Sequence, residues 1–372
     1  MSLDLRKILT KQQRQALLNV ILTPFSWIYG AVVWVRNFCY DKGLIKQESF
    51  ETPVVSVGNI TVGGTGKTPH VEYIINALCR QYHIGVLSRG YKRVTKGFIF
   101  ATDSLSPKDI GDEPYQIFRK FNGLIQLAVC EDRRKGIREM LKIDPEINLF
   151  ILDDAFQHRR VKPKVNIVLV DYTRQPFNDR LLPLGQLREP VDRLLQSDIV
   201  VVTKCPSELS PVEIRALKET MGLFPYQLLY FSNIRYADPV PVFPVPNPEL
   251  PSLRWLTEDD TVLCVTGIAN PKPIVRYLRS FQADVKVMHY DDHHYFTRAD
   301  FNDIFHVYDS LDGKRKFIIT TEKDMVRILN NPYYPPTMRS IIYFIPIRVG
   351  MMPSDQPDFI DQVSRMIEKK EM

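Results

Sequence analysis

Two hydrophobic rhythms alternate along most of this chain. Short apolar runs bounded by polar residues or glycine recur at Val54–Val57, Ile84–Leu87, Leu124–Val129, Asn148–Leu152, Val165–Val170 and Ile199–Thr203. Between them, apolar residues fall at three- and four-residue spacing, most clearly at Val71, Ile74, Ile75 and Leu78. Continuous apolar runs suit strands covered on both faces, and helix-period segments supply the crossovers between them. The pattern therefore predicts an α/β sandwich with a mainly parallel sheet from Pro53 to about Lys204. A helix follows from Pro211 to about Met221, then a proline-rich passage from Asp238 to Pro248 that reads as an extended linker or edge-strand crossover. Strand-like runs resume near Val262–Thr266, Val285–His289, Phe317–Thr320 and Ile341–Ile345, predicting a second, smaller α/β unit able to close over the first. The expected division is 1–48, 49–235 and 236–372.

A third pattern precedes these two. From Ala16 to Val35 nearly every residue is apolar or aromatic, with Arg6, Lys7, Lys11 and Arg14 before it and Arg36, Lys42 and Lys46 after it. Only Asp4, Asp41 and Glu48 oppose that charge. The run is long enough to span a bilayer, but Asn19, Thr23, Pro24 and Ser26 interrupt it and both flanks are basic. A helix lying in the membrane interface, with Trp27, Tyr29 and Trp34 at headgroup depth, fits better. An amphipathic helix packed on the protein's own core is the alternative. A cleaved signal peptide does not fit, because no small-residue cleavage site follows.

At 372 residues the chain is long enough for two cores, and its 44% hydrophobic and 25% charged residues are those of a globular protein. A net charge of +6 suits an anionic partner, whether nucleotide, anionic lipid or nucleic acid. Nucleic acid ranks last, since the basic residues are dispersed and form no stripe interleaved with aromatics. Cys39, Cys79, Cys130, Cys205 and Cys264 are odd in number, far apart and without a C-x-x-C pair, which argues for a reducing compartment and against structural zinc.

Chemistry enters with the glycine-rich turn after the first strand. The stretch from Thr61 through Val62, Gly63, Gly64, Thr65, Gly66 and Lys67 to Thr68 has the composition of a phosphate-binding loop opening a helix. Gly63, Gly64 and Gly66 let successive backbone N–H groups turn inward around a phosphate, and Lys67 adds a mobile positive charge for the β and γ oxygens. The Thr68 hydroxyl is placed to ligate Mg²⁺ at a helix N-terminus that itself favours anions. Thr61 stands where the strict G-x-x-x-x-G-K-[ST] pattern has its first glycine.

Other candidates lie at predicted strand ends, where open α/β sheets bind ligands. Asp153 and Asp154 follow the fourth run and read either as a helix cap or, after a phosphate loop in the same domain, as a Walker B acid that holds Mg²⁺ opposite Thr68. Asp112, in Gly111-Asp-Glu-Pro114, reads either as a helix N-cap or as the carboxylate that takes a proton from an attacking hydroxyl. Two segments, Glu131 to Lys135 and Leu182 to Pro190, carry arginines that either suit phosphate oxygens or are simply solvated surface charge. Asp292-His-His294 hints at a metal but lacks further ligands nearby.

Together these segments resemble the tetraacyldisaccharide 4′-kinase family, the lipid A 4′-kinases of Gram-negative bacteria. The resemblance runs through Gly58 to Pro69, Ser88-Arg-Gly-Tyr91, Gly111 to Pro114, Asp153-Asp-Ala-Phe-Gln-His158, Leu182 to Pro190, Asp292 to His294 and Thr321-Glu-Lys-Asp324. It implies a P-loop NTPase-like α/β/α domain, a smaller α/β domain and a membrane-associated N-terminal helix. The implied reaction moves the γ-phosphate of ATP, with Mg²⁺, to the 4′-hydroxyl of a tetraacylated glucosamine disaccharide 1-phosphate, forming lipid IVA. The implied location is the cytoplasmic face of the inner membrane.

Carried onto this chain, the family roles make Asp112 the base and His293 its partner, with His294 the second choice. Thr61 to Thr68 and Tyr91 would bind nucleotide, with Lys67 also catalytic. Thr68, Asp153, Asp154 and Glu189 would surround the metal, and Glu113, Arg133, Gln157, His158 and Arg188 would contact phosphate or substrate. Thr61 matches the family's own loop variant, whereas Ala155 replaces its usual glycine. Two rival readings remain: a P-loop ATPase or GTPase switch, with Lys204 contacting a base, and a non-catalytic, membrane-attached nucleotide-binding module.

Overall fold

The structure, a computed structural model, describes residues 11–246, 248–250, 252–353 and 357–369. Its strands are β1 (Val54–Asn59), β2 (Ile84–Ser88), β3 (Ile99–Phe100), β4 (Ile125–Val129), β5 (Leu149–Asp153), β6 (Val165–Asp171), β7 (Ile199–Thr203), β8 (Leu228–Tyr236), β9 (Val240–Pro241), β10 (Asp260–Thr266), β11 (Asp284–His289), β12 (Arg315–Thr321), β13 (Ile342–Ile345) and β14 (Ile347–Met351). Its α-helices are α1 (Lys11–Asp41), α2 (Lys67–Leu78), α3 (Pro107–Ile110), α4 (Asp112–Lys120), α5 (Arg133–Ile143), α6 (Pro211–Met221), α7 (Lys272–Leu278), α8 (Arg298–Asp309), α9 (Glu322–Leu329) and α10 (Phe359–Glu368).

The large sheet has the order β14-β8-β7-β6-β1-β5-β2-β4-β3 and the small one β11-β10-β12-β13-β9. In the large sheet β1 is central, parallel to β5 on one side and β6 on the other, and every residue of β1 and β5 is buried. Burial on both faces is why these strands read as unbroken apolar runs. The carboxyl ends of β1, β5 and β2 therefore emerge together at one sheet edge.

Two departures from the sequence expectation matter. Residues 347–369 do not stay with the small unit: β14 pairs antiparallel with β8, and Phe359, Val363 and Ile367 of α10 join the core formed by Val71, Ile75 and Ile117. The expected boundary of 236–372 is corrected accordingly, because the chain crosses back to complete the large sheet. Strands β8 and β14 were not predicted. β8 lies inside the sheet with Leu229 to Asn233 all buried, but Ser232, Asn233 and Arg235 break its apolar run, and β14, at the sheet edge, is only partly buried.

Helix α1 faces the body with its polar residues. Ser26 donates to the Leu181 carbonyl (2.8 Å), Tyr29 to the Arg188 carbonyl (3.0 Å), and Arg36 and Asn37 to the two oxygens of Glu189. At its end Asp41 pairs with Arg159 (2.7 Å) and Arg193 (3.2 Å). The large apolar side chains turn outward: Val20 is 72% and Trp27 71% exposed, with Ile28, Val32 and Trp34 similar. A helix packed on its own core would bury those residues, so that reading is overturned. Tyr29 is corrected too, since its hydroxyl is engaged by the body. Of the residues flanking this segment, Asp4, Arg6 and Lys7 lie outside the described residues.

Candidate active site

The loop between β1 and α2 is fixed by backbone geometry. Gly63 (φ 93°) and Gly66 (φ 89°) occupy the left-handed region, where a Cβ costs about 1–2 kcal/mol. A Cβ on Gly64 would meet nothing within 4 Å, which leaves the loop open for a phosphate to approach. Thr61 needs no glycine because it forms an antiparallel bridge with Leu187, and the Val62 amide donates to the Gln186 carbonyl (2.8 Å). Arg174 closes the same corner by donating to the Val62 carbonyl (2.7 Å). Thr65 is anchored rather than free: Asn59 Nδ2 donates to its hydroxyl (2.8 Å) and Thr203 Oγ1 to its carbonyl (2.8 Å).

Lys67, the first residue of α2, points its Nζ to within 3.4 Å of Asp154 Oδ1, and Arg188 Nη1 lies 3.3 Å from Asp154 Oδ2. Burial would raise the Asp154 carboxyl, but Lys67 and Arg188 hold it below its ordinary value. Asp154 has φ 49°, a left-handed conformation that aspartate tolerates. The strained residue is thus Asp154 and not Ala155, which is why a methyl group is accepted at 155.

Asp153 differs from its neighbour. It is buried, and burial reinforced by the charges of Glu113 and Asp154 pushes it up to about 7. Ser88 donates to its Oδ2 (3.2 Å), while its Oδ1 is buried without a hydrogen-bond partner. An orphaned carboxylate oxygen beside a second carboxylate, in the field of Lys67 at the start of α2, is a donor set that fits Mg²⁺, which takes one or two carboxylates and completes its shell with phosphate and water. Among the described residues, no group of three or more His, Cys, Asp or Glu side chains forms a closed metal cage.

Asp112 opens α4 after Gly111, whose φ of 95° turns the chain into the helix. Its Oδ2 receives His293 Nδ1 (3.1 Å), Arg327 Nε (2.9 Å) and Arg327 Nη2 (2.8 Å). Burial would raise the carboxyl, but the His293 hydrogen bond and the Arg327 charge hold it below its usual range. The adjacent Glu113 bonds Lys323 (2.6 Å) and lies within the field of both Lys67 and Asp154. Glu113 thereby links the phosphate loop to the Asp112 cluster, since it feels Lys67 and Asp154 while sitting next to Asp112. Tyr91 packs edge-on against the His293 ring, with centroids 6.0 Å apart.

Several residues expected at phosphate or metal are used elsewhere. Arg133 is 2% exposed and donates to the carbonyls of Cys130, Glu131, Asp153 and Asp154, so it braces the β5 turn instead of facing phosphate. Glu189 gives both oxygens to Arg36 and Asn37 of α1, which removes it from the metal group. Gln157 donates to the Asn59 carbonyl (2.6 Å). His158 accepts from the Arg133 amide (3.2 Å) and is held neutral by burial and by the Arg133 charge, which lower it to about 4. His294 bonds Asp300 (2.9 Å) within the cap of α8, leaving His293 as the histidine on Asp112. Lys204 pairs with Asp171 (2.6 Å).

Arg327, Lys323 and Asp324 were missed as site residues. The motif Thr321-Glu-Lys-Asp324 carries no role by residue type alone, and Arg327 lies three residues beyond it, one helical turn along α9.

A family model described as tetraacyldisaccharide-1-P 4′-kinase (LpxK) matches residues 18–368. A relative from Bacteroides thetaiotaomicron named tetraacyldisaccharide 4′-kinase is 45% identical over 345 residues, covering 91% of this chain and 90% of that one. One of the same name from Porphyromonas gingivalis is 40% identical over 359 residues, covering 95% and 98%. Among solved structures, the "apo" form of LpxK from Aquifex aeolicus in complex with ATP superposes with a TM-score of 0.71 at 27% identity, over 94% of this chain and 98% of that one.

Proposed function

Because the chain belongs to the tetraacyldisaccharide-1-phosphate 4′-kinase family, and is thus an ATP-dependent kinase of lipid A biosynthesis that forms lipid IVA, we propose that Asp112 receives the proton of the attacking 4′-hydroxyl. The observation that carries this is the convergence of His293 and Arg327 on one oxygen of Asp112, whose neighbour Glu113 feels the charges of Lys67 and Asp154.

In this reading the hydroxyl oxygen forms a bond to the γ-phosphorus while the bond to the β-phosphate oxygen breaks, its electron pair leaving with ADP. The hydroxyl proton passes to Asp112. Loop amides and the α2 N-terminus fix the leaving phosphate, Lys67 offsets charge on its oxygens, and Arg188 steers Asp154. A carboxylate held below its usual range is a weak base, so it takes the proton late, as the new bond forms. Thr68 with Asp153 or Asp154 would hold Mg²⁺, which when bound with ATP neutralises charge on the β and γ oxygens.

Helix α1 supports a place at a membrane surface. Its polar face is tied to the body and its apolar face, with Trp27 and Trp34, is left outward, an arrangement suited to the interface of the inner membrane's cytoplasmic leaflet, where an acylated substrate resides. A chain lacking residues 1–35 should move from the membrane fraction to the soluble one; unchanged sedimentation would remove this part of the reading.

The decisive test is transfer of labelled γ-phosphate from ATP to tetraacyldisaccharide 1-phosphate in mixed micelles. Wild-type protein should label the lipid, and Asp112→Ala should lose most turnover while still binding ATP. Near-normal turnover in that variant rules out Asp112 as the proton acceptor. Label appearing only in inorganic phosphate would favour an ATPase.

A further inference from the structure

Arg327 does more than touch Asp112. We propose that it is a positioning residue for phosphoryl transfer, deciding which oxygen of Asp112 is left for the hydroxyl and placing that carboxylate's charge under the control of the small unit. The inference rests on Asp112 being the proton acceptor.

The guanidinium is 3% exposed and all three of its nitrogens are engaged. Nε and Nη2 both reach Asp112 Oδ2, while Nη1 reaches Asp324 Oδ1 (2.8 Å) and the Gly267 carbonyl (3.2 Å). A fork-to-fork pair would cover both oxygens of Asp112. Here both arms converge on Oδ2, where His293 Nδ1 also sits, and no hydrogen bond among the described residues reaches Oδ1. The lone pairs of Oδ1 are what remain for a hydroxyl.

The same arginine completes His293. Nη2 lies 3.2 Å from His293 Nδ1, so that nitrogen faces an acceptor in Asp112 and a donor in Arg327. With a proton on Nδ1 it donates to Asp112; without one it accepts from Arg327. Either state has a partner without a turn of the ring.

Gly267, just past β10, anchors the group as one piece. Its carbonyl accepts from Arg327 and from the His293 amide (3.2 Å), and its amide donates to Asp324 Oδ2 (3.0 Å). Asp324, fully buried and also bonded by Thr321 Oγ1 (2.7 Å), holds the far arm of the guanidinium. Docking of α4 on α9 has its own pairs, Glu113 with Lys323 and Lys120 with Glu322 (2.8 Å), so Arg327 is not needed merely to join the two helices.

The test compares wild type, Arg327→Ala, Arg327→Lys, Asp112→Ala and the Asp112→Ala/Arg327→Ala pair in the lipid phosphorylation assay. Arg327→Ala should lower kcat by about 100-fold, within the range for losing a well-placed acid–base arrangement, and change KM for ATP by less than about twofold. Added guanidinium ion should restore part of that loss in Arg327→Ala and none in Asp112→Ala. The double variant should be no slower than Asp112→Ala alone, because the arginine acts only through that carboxylate. Arg327→Lys, which keeps the charge and so tests the site even if the alanine variant folds poorly, should fall between wild type and Arg327→Ala.

Wild-type kcat in either single arginine variant overturns the proposal. So does a double variant slowed further by the full Arg327→Ala factor. An active Asp112→Ala would instead remove the base assignment itself, whereas an inactive Asp112→Ala beside an active Arg327→Ala would remove only the role of the arginine.

Discussion

The phosphate loop takes its amides and its lysine from residues 61–68, whereas the Asp112 cluster gathers side chains from positions 112, 293, 324 and 327. The loop acts through backbone direction. Its function follows from glycine at Gly63 and Gly66 and from the start of α2, all set within a few residues of one another. The cluster acts through charges brought across a boundary between two units, so it exists only when α4 and α9 are packed together. A local site is vulnerable to a wrong φ angle, and a composite site to wrong relative placement.

This contrast can be broken most sharply by asking which kinetic parameter each region controls. Asp112→Asn should lower kcat by about 10²–10⁴-fold with ATP affinity nearly unchanged. Lys67→Met should lower kcat by about 10²–10³-fold and weaken ATP binding as well, since its charge serves both ground and transition state. Steady-state kinetics with separate titration of ATP binding would check both. Equal losses of ATP affinity in the two variants would dissolve the distinction.

A smaller effect tests the loop's dependence on backbone. Gly66→Ala places a Cβ at φ 89° and should cost about 1–2 kcal/mol, seen as a lower Tm that bound ATP only partly restores.

The boundary beside the cluster predicts a pH effect. Lys120 lies between Glu72 (2.6 Å) and Glu322 (2.8 Å), and burial together with the Glu322 charge pushes Glu72 up to about 7. A carboxyl raised in the folded state contributes stability that is fully present below its unfolded pKa and is lost as pH rises through about 7. Melting temperature should therefore decline from about pH 5 to 7 more steeply in wild type than in Glu72→Gln. Parallel curves would remove Glu72 from the account. The smallest change belongs to Ala155→Gly, which should alter stability by less than about 1 kcal/mol and leave turnover intact, because Asp154 carries the left-handed angle.

Much of the large sheet was legible because buried parallel strands are apolar along their whole length. Strands β8 and β14 were not, since Ser232, Asn233 and Arg235 break the apolar run of β8 and the edge strand β14 is only partly buried. The site was legible in proportion to how local it is. Gly63, Lys67, Thr68, Asp153 and Asp154 were read from order alone. Arg133 and Glu189 carried the right chemistry for phosphate and metal, but their partners proved to be carbonyls at the β5 turn and side chains of α1. Residue type does not disclose who is opposite.

By itself, the sequence determined a phosphate-binding loop on a parallel sheet, a second α/β unit, an apolar N-terminal helix and, through motif order, the kinase family. These are consequences of periodicity and of neighbours along the chain. Only the tertiary structure decided that α1 turns its polar face inward, that residues 347–369 return to the large sheet, and that Arg327 and His293 share one oxygen of Asp112. Each of these joins residues far apart in sequence, and such pairings are set by packing, which leaves no mark in the order of residues around either partner.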